Sequence, residues 1–263
     1  MPRANRHFLP DNVWHITHRC HESSFLLKFS IDRSTWVRWL FEAKKRYGLE
    51  VLNYAITSNH IHLLIYGGND REVIPKSVQL VAGRTAQAYN RRKKRNGAFW
   101  EDRYHATAID TEEHLIRCLL YIDLNMVRAG VVNHPGKWRH CGYHELMNPP
   151  KRYRIIARER LNELVAVNEN FNNVYEEWIQ KAIAAGSVKQ AFWSNSVAVG
   201  SRDYVSRVKV NLGLQGSGRD VRSLKTENLY ILKDPDESYN SVFRPENALL
   251  RHKNSLFWEV YPY

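Results

Sequence analysis

The strongest constraint on this chain is the order in which two periodicities alternate over its first 149 residues. Residues 13–19 alternate with period two, as a half-buried strand does. Residues 34–47 place Trp36, Trp39, Leu40 and Ala43 at helical spacing, and Gly48 supplies a stop. Two runs rich in β-branched, aromatic and aliphatic residues follow, 49–57 and 60–66, separated by the turn-prone Ser58-Asn59. Gly67-Gly68-Asn69-Asp70 reads as a loop, 77–95 as a long helix ending in Asn96-Gly97, and 105–109 as a strand. Asp110, with Glu113 three residues on, has the capping-box spacing and opens a final helix that runs to Ala129 ahead of Gly130. The order β-α-β-β-α-β predicts an α+β fold of the ferredoxin-like kind, an antiparallel sheet with helices on one face.

After Asn148-Pro149-Pro150 the pattern changes. Residues 155–185 and 201–212 read as amphipathic helices joined by a polar stretch, and 215–218 as a flexible linker. The tail has no clean periodicity and ends in Phe257, Trp258, Tyr261 and Tyr263. The expected division is therefore a first domain over 1–149 and a mostly helical extension over 150–263 with an irregular aromatic tail.

Composition narrows the class further. Hydrophobic residues make up 43% of the 263 and aromatics 12%, enough to bury a core and to exclude wholesale disorder. No apolar run reaches the length of a membrane span, and the N-terminus lacks the apolar stretch of a signal peptide. Cys20, Cys118 and Cys141 are odd in number and widely spaced, so neither a disulfide framework nor a Cys-based zinc site is expected, and a cytoplasmic location fits. An excess of 39 Lys+Arg over 27 Asp+Glu, a formal +12, points to an acidic polymer as partner. Nucleotide-binding signatures of the P-loop or G-x-G-x-x-G type are absent from the sequence, so no nucleotide cofactor is expected.

His60-Ile61-His62 lies in a strand pattern, which puts both imidazoles on one sheet face. Such a pair can hold a metal and leave positions for substrate oxygens; the plainer alternative is two packed or solvated histidines. On the last helix, His114, Arg117, Tyr121, Asn125 and Arg128 fall within about 80° of one another, opposite Leu115, Leu119, Ile122 and Met126. Tyr121 thus shares a polar face with cations that favour its phenolate, which is how a tyrosine becomes a nucleophile; an ordinary charged helix surface is the competing reading. Arg91-Arg92-Lys93-Lys94-Arg95 is followed by Phe99, Trp100, Arg103 and Tyr104, so phosphate contacts and stacking platforms lie close together. A solvated helix end would look the same. Arg3 and Arg6 could add a basic arm.

Asn59-His60-Ile61-His62-Leu63-Leu64 and Tyr121-Ile122-Asp123-Leu124-Asn125-Met126-Val127-Arg128-Ala129-Gly130 together resemble the HUH single-tyrosine transposases, specifically the REP-associated tyrosine transposases of the IS200-like group. The opening 14–19 and the segment 97–104 match the same pattern, in order, over about residues 2–149. The resemblance implies metal ligands at His60, His62 and Asn125, with Mg²⁺ or Mn²⁺ as the cation. It also implies Tyr121 as nucleophile, and single-stranded or hairpin DNA as substrate, cut through a 5′-phosphotyrosine. Arg91, Arg92, Lys93, Lys94, Arg95, Trp100, Arg103, Arg117 and Arg128 are the expected DNA contacts. Met126 departs from the family, which usually has proline there. Two other readings compete. His15-Ile16-Thr17 and His105-Ala106-Thr107 would suit a metal-free two-histidine phosphoesterase acting on RNA ends or cyclic phosphates, and a catalytically silent hairpin-binding regulator would also carry these residues. The sequence leaves the oligomeric state, monomer or dimer, open.

Overall fold

A computed structural model of the protein describes residues 8–166, 171–186, 190–224 and 229–234. Strand β1 (Asn12–Arg19) leads through α1 (Ser30–Tyr47) to β2 (Glu50–Ile56) and β3 (His60–Gly67), and α2 (Val73–Arg92) leads to β4 (His105–Ile109). β3 lies between β1 and β2, and β4 pairs with the other edge of β1, every pair antiparallel. This β2-β3-β1-β4 order is the expected ferredoxin-like arrangement. Gly48 ends α1 with a left-handed φ of 69°, which glycine adopts without steric cost.

Alternation along the strands divides the core in two. Trp14, Ile16, Leu63 and Ile65 face α1 and α2, meeting Trp36, Leu40, Val78 and Val81. Val13, Leu52, Leu64 and Ile109 face the other way and are covered by α3 (Glu113–Asp123) through Leu115, Cys118, Leu119 and Ile122. Helix α4 (Asn125–Arg128) continues α3 beyond Leu124, and Gly130 follows at φ 67°. The capping box expected at Asp110 is not used. The helix begins at Glu113, and the Asp110 carboxylate instead accepts hydrogen bonds from the Ser201 amide and hydroxyl. A partner brought in by the tertiary fold has displaced the local one.

The chain after α4 first guards the open edge of β2. The His140 carbonyl accepts from the Ile56 amide, and the amides of Gly142 and Ala157 donate to the carbonyls of Tyr54 and Val51, on either side of α5 (Tyr143–Met147). These bonds satisfy backbone groups that an edge strand would otherwise present to another chain. Helices α6 (Arg158–Val165) and α7 (Phe171–Ala184) then pack Leu161, Tyr175 and Ile179 onto the α3 face. The short α8 (Phe192–Asn195) follows, and β5 (Ala198–Gly200) pairs with β4 in parallel.

Helices α9 (Arg202–Asn211) and α10 (Leu214–Ser217) lead to β6 (Asp220–Leu224) and β7 (Leu229–Lys233). The sheet therefore runs across the boundary at 149/150 and, among the described residues, has seven strands ordered β2-β3-β1-β4-β5-β7-β6. Residues 215–218, read from sequence as a linker, lie largely within the α10 turn, with Gly216 buried. Arg3, Arg6 and the aromatic tail 257–263 fall outside the described residues. Among the described residues no helix is long and apolar enough to cross a membrane, and all three cysteines are free and buried.

Candidate functional site

On the α3 face of the sheet, β3 presents His60 and His62 two residues apart, so their rings project to the same side. His60 Nδ1 is 2.7 Å from the Asn59 side-chain oxygen and 2.9 Å from Thr57 Oγ1. The Thr57 hydroxyl donates to the His60 carbonyl, so the imidazole Nδ1–H is the donor and the Nε2 lone pair turns toward His62. The two Nε2 atoms are 3.1 Å apart, and the Asn125 side-chain amide lies 2.9 Å from His62 Nε2. Asn125 opens α4, immediately after Leu124, one turn beyond Tyr121.

This geometry provides a test of fit for a metal. His60 Nε2 and the Asn125 amide both lie against His62 Nε2, so three groups able to donate to a cation converge. Two imidazoles and an amide, which presents its oxygen after a half-turn about its bond, form a neutral set that suits a divalent cation. Among the described residues no group of three or more His, Cys, Asp or Glu is arranged to hold a metal, so the site depends on the amide as third ligand.

Tyr121 stands beside the pair, its ring edge-on to His62 at 5.7 Å and to His15 at 6.0 Å between centroids. The expected exposed polar face is not where it sits. The residue is 7% exposed because α8 covers it, with the Trp193 ring 6.2 Å away and Ser194 Oγ 3.4 Å from the phenol oxygen. Arg128 lies over the Tyr121 ring at 4.3 Å and donates to the Tyr121 carbonyl at 2.6 Å, so it braces the tyrosine. Arg117 pairs with Glu113 one turn back, and His114 faces Asp110.

Sequence reasoning did not place His15, Trp193 or Ser194 in this site. His15 is fully buried, its ring within 17° of parallel to that of His62 with centroids 5.1 Å apart and ring nitrogens 2.9 Å apart. Burial lowers its pKa to about 4, against a raising contribution from its bond to the Trp193 carbonyl. His62 is pushed well below the ordinary histidine value by burial and then by neighbouring His60 and His15. The signal that could have located α8 is Phe192-Trp193, two large rings in a stretch otherwise read as polar.

His15 and His105 also bear on the phosphoesterase alternative. β1 and β4 bring His15 opposite Thr107 and Thr17 opposite His105. His15 then bonds Trp193 O and His62, while His105 Nε2 and Thr107 Oγ1 both donate to Ser196 O. Groups that would have to hold a phosphate are spent on the α8 segment.

The basic run ends α2 at one side of the molecule. Arg92 is held by Asp32 through two bonds of 2.6 and 2.5 Å, Arg95 donates to the Ala98 carbonyl, and Lys93 lies over the half-exposed Phe29 ring at 4.8 Å. Arg91, Lys94 and Arg103 are exposed. Trp100 is half-buried, stacked on His18 at 4.1 Å, with its indole N–H donating to Ala82 O.

The ferredoxin-like sheet thus carries a His-x-His pair on β3 and sets it beside a tyrosine on α3. A family model described as "Transposase IS200 like" matches residues 13–125 of the chain. Among solved structures, a REP-associated tyrosine transposase bound to a REP hairpin aligns at 15% identity and TM-score 0.48, over 57% of this chain and 87% of that one. A protein of Deinococcus radiodurans R1, described as a candidate transposase, aligns at 15% identity and TM-score 0.33, over 48% and 95%. No curated protein matches the chain.

Proposed function

We propose that this chain is an IS200-like transposase, a metal-dependent, single-tyrosine DNA strand transferase of the REP-associated kind, acting on single-stranded DNA that carries a hairpin. The observation that supports it best is the convergence of His60 Nε2, His62 Nε2 and the Asn125 amide beside the Tyr121 ring. The hairpin substrate is inferred from the motif resemblance.

In this reading His60, His62 and Asn125 would hold a divalent cation, Mg²⁺ or Mn²⁺, which when bound would supply positive charge beside the scissile phosphate. The Tyr121 oxygen attacks phosphorus in line, a Tyr–O–P bond forms and the P–O3′ bond breaks. The phenol proton passes to water, and the departing 3′ oxygen takes one up. The product is a 5′-phosphotyrosine and a 3′-hydroxyl. One ester replaces another, so resealing onto a different 3′ end needs no ATP. Arg128 keeps the phenol ring in place, and α8 must yield for a phosphate to reach it. Arg91, Lys93, Lys94, Arg95 and Arg103 would follow the DNA backbone with Trp100 beside them, while Arg92 and Arg117 have carboxylate partners that compete with phosphate.

The test is to incubate labelled single-stranded hairpin DNA with the protein and Mn²⁺ or Mg²⁺, and to look for an adduct that survives denaturation. The adduct is expected with the wild-type chain and absent with Tyr121→Phe or with a chelator. Adduct formation by Tyr121→Phe would remove Tyr121 as the nucleophile. Wild-type adduct formation by both His60→Ala and His62→Ala would remove the metal assignment.

A further inference from the structure

We infer that His15 is a positioning residue for His62, and that the C-terminal extension completes the site by supplying the carbonyl of Trp193, which sets the tautomer of both histidines. The starting observation is a chain of three groups, Trp193 C=O, His15 and His62, joined by contacts of 2.8 and 2.9 Å. A carbonyl oxygen can only accept, so His15 Nδ1 carries a hydrogen. The other nitrogen of a neutral imidazole is then an acceptor, and the atom facing it is His62 Nδ1. His62 must therefore donate from Nδ1, which leaves its Nε2 lone pair directed at His60 Nε2 and the Asn125 amide. That is the tautomer a metal ligand needs, and it is imposed from residue 193.

The surroundings hold this chain in place. Thr17 is the direct partner of His62 across β1 and β3, so His15, two residues along the same face, is its diagonal neighbour. The two rings lie within 17° of parallel, with Tyr121 edge-on to both, which blocks rotation of either. Both histidines are buried, so water does not compete for these bonds. The Trp193 carbonyl is anchored in turn. Just beyond it, Ser196 O accepts from His105 and Thr107, the Val197 amide donates to Leu232 O on β7, and the Val197 carbonyl accepts from Ala108 on β4. His15 has no surface to offer DNA, so its influence on chemistry must pass through His62.

The functional consequence rests on the reading of His60 and His62 as metal ligands, whereas the tautomer can be read without any metal. In the full-length, metal-free protein labelled with ¹⁵N-histidine, ring nitrogen shifts should show His15 and His62 both protonated at Nδ1. Protonation of His62 at Nε2 would overturn the inference.

In calorimetry with Mn²⁺ alone, His15→Phe should bind about 10–100-fold more weakly than wild type, the usual consequence of removing a group that orients a ligand. His15→Gln, whose amide can donate to Trp193 O and accept from His62, should recover most of that loss. Wild-type affinity in His15→Phe, or no recovery in a folded His15→Gln, would also overturn it. If His15→Phe fails to fold, the shifts of the wild-type protein and the affinity of His15→Gln still decide. Correct tautomers in a wild-type protein that ignores Mn²⁺ would sink the metal reading and leave the hydrogen-bond chain standing.

Discussion

His18 and His140 are imidazoles whose surroundings hold them neutral. Burial lowers the pKa of each to about 4; a bond to the Asp102 carbonyl opposes this at His18, and the charges of Arg33 and Arg139 add to it at His140. In the unfolded chain both return to about 6.5 and take up a proton more readily. Their contribution is therefore fully present above pH 6.5 and is lost as pH falls toward 4. Asp123, raised to about 7 by burial, acts with the opposite sign, so a variant isolates the effect better than the bare profile does. His18→Gln should show a smaller drop in urea midpoint between pH 7 and pH 4 than wild type; an identical drop would mean His18 is not buried neutral. Asn125 invites a different measurement. As a neutral third ligand it should matter to the cation more than to the substrate. Asn125→Ala should therefore weaken Mn²⁺ binding by more than it weakens hairpin DNA binding, with raised Mn²⁺ partly restoring cleavage. Cleavage indifferent to the substitution would take Asn125 out of the site.

At the scale of elements, the continuation of α3 into α4 and the cover provided by α8 decide how the site works. Helical hydrogen bonds run on through Leu124, so Tyr121 and Asn125, one turn apart, both meet His62, while Trp193 covers Tyr121 from α8. Trp193 is 1% exposed and packs on the tyrosine, so Trp193→Ala should cost about 3–5 kcal/mol of stability. The same change should uncover the phenol. Nitration of Tyr121 by tetranitromethane, followed by peptide mapping, is expected to be faster in Trp193→Ala than in wild type under conditions where both are folded. Equal rates would show that α8 does not limit access to Tyr121.

Across the whole molecule, the extension joins the sheet and the site together. Leu229, Ile231 and Leu232 of β7 are buried, and β7 lies between β5 and β6. A 1–218 chain would keep α8 but lose both outer strands, so β5 would keep β4 but lose its β7 partner, and the Val197 amide would lose its acceptor. Such a chain is expected to melt at a lower temperature than the full protein, with a broader transition, and to bind Mn²⁺ more weakly because the Trp193 carbonyl is no longer held. An unchanged melting curve would show that the outer strands are dispensable. The buried Asp123 carboxylate, which accepts from Tyr175 on α7 and Asn53 on β2, ties the extension to the first domain from the other side.

The patterns of residues 12–123 were readable because each helix there turns one apolar face to a core, and the strands are apolar runs buried on both faces between the two core halves. His60 and His62 were readable because alternation alone puts them on one face. Pairing across the chain is not written in local periodicity. β5 is three residues long, and β6 and β7 form only where partners from distant sequence complete their hydrogen bonds. His15, Trp193 and Ser194 join the site through contacts spanning 47, 178 and 73 positions in the chain. The side chains of the candidate site, two imidazoles, an amide and a phenol, were set by the sequence. Which nitrogen of His62 faces His60 and Asn125, and what covers Tyr121, was decided by the tertiary structure, because a carbonyl and an indole from residue 193 reach those atoms only after the sheet has closed around them.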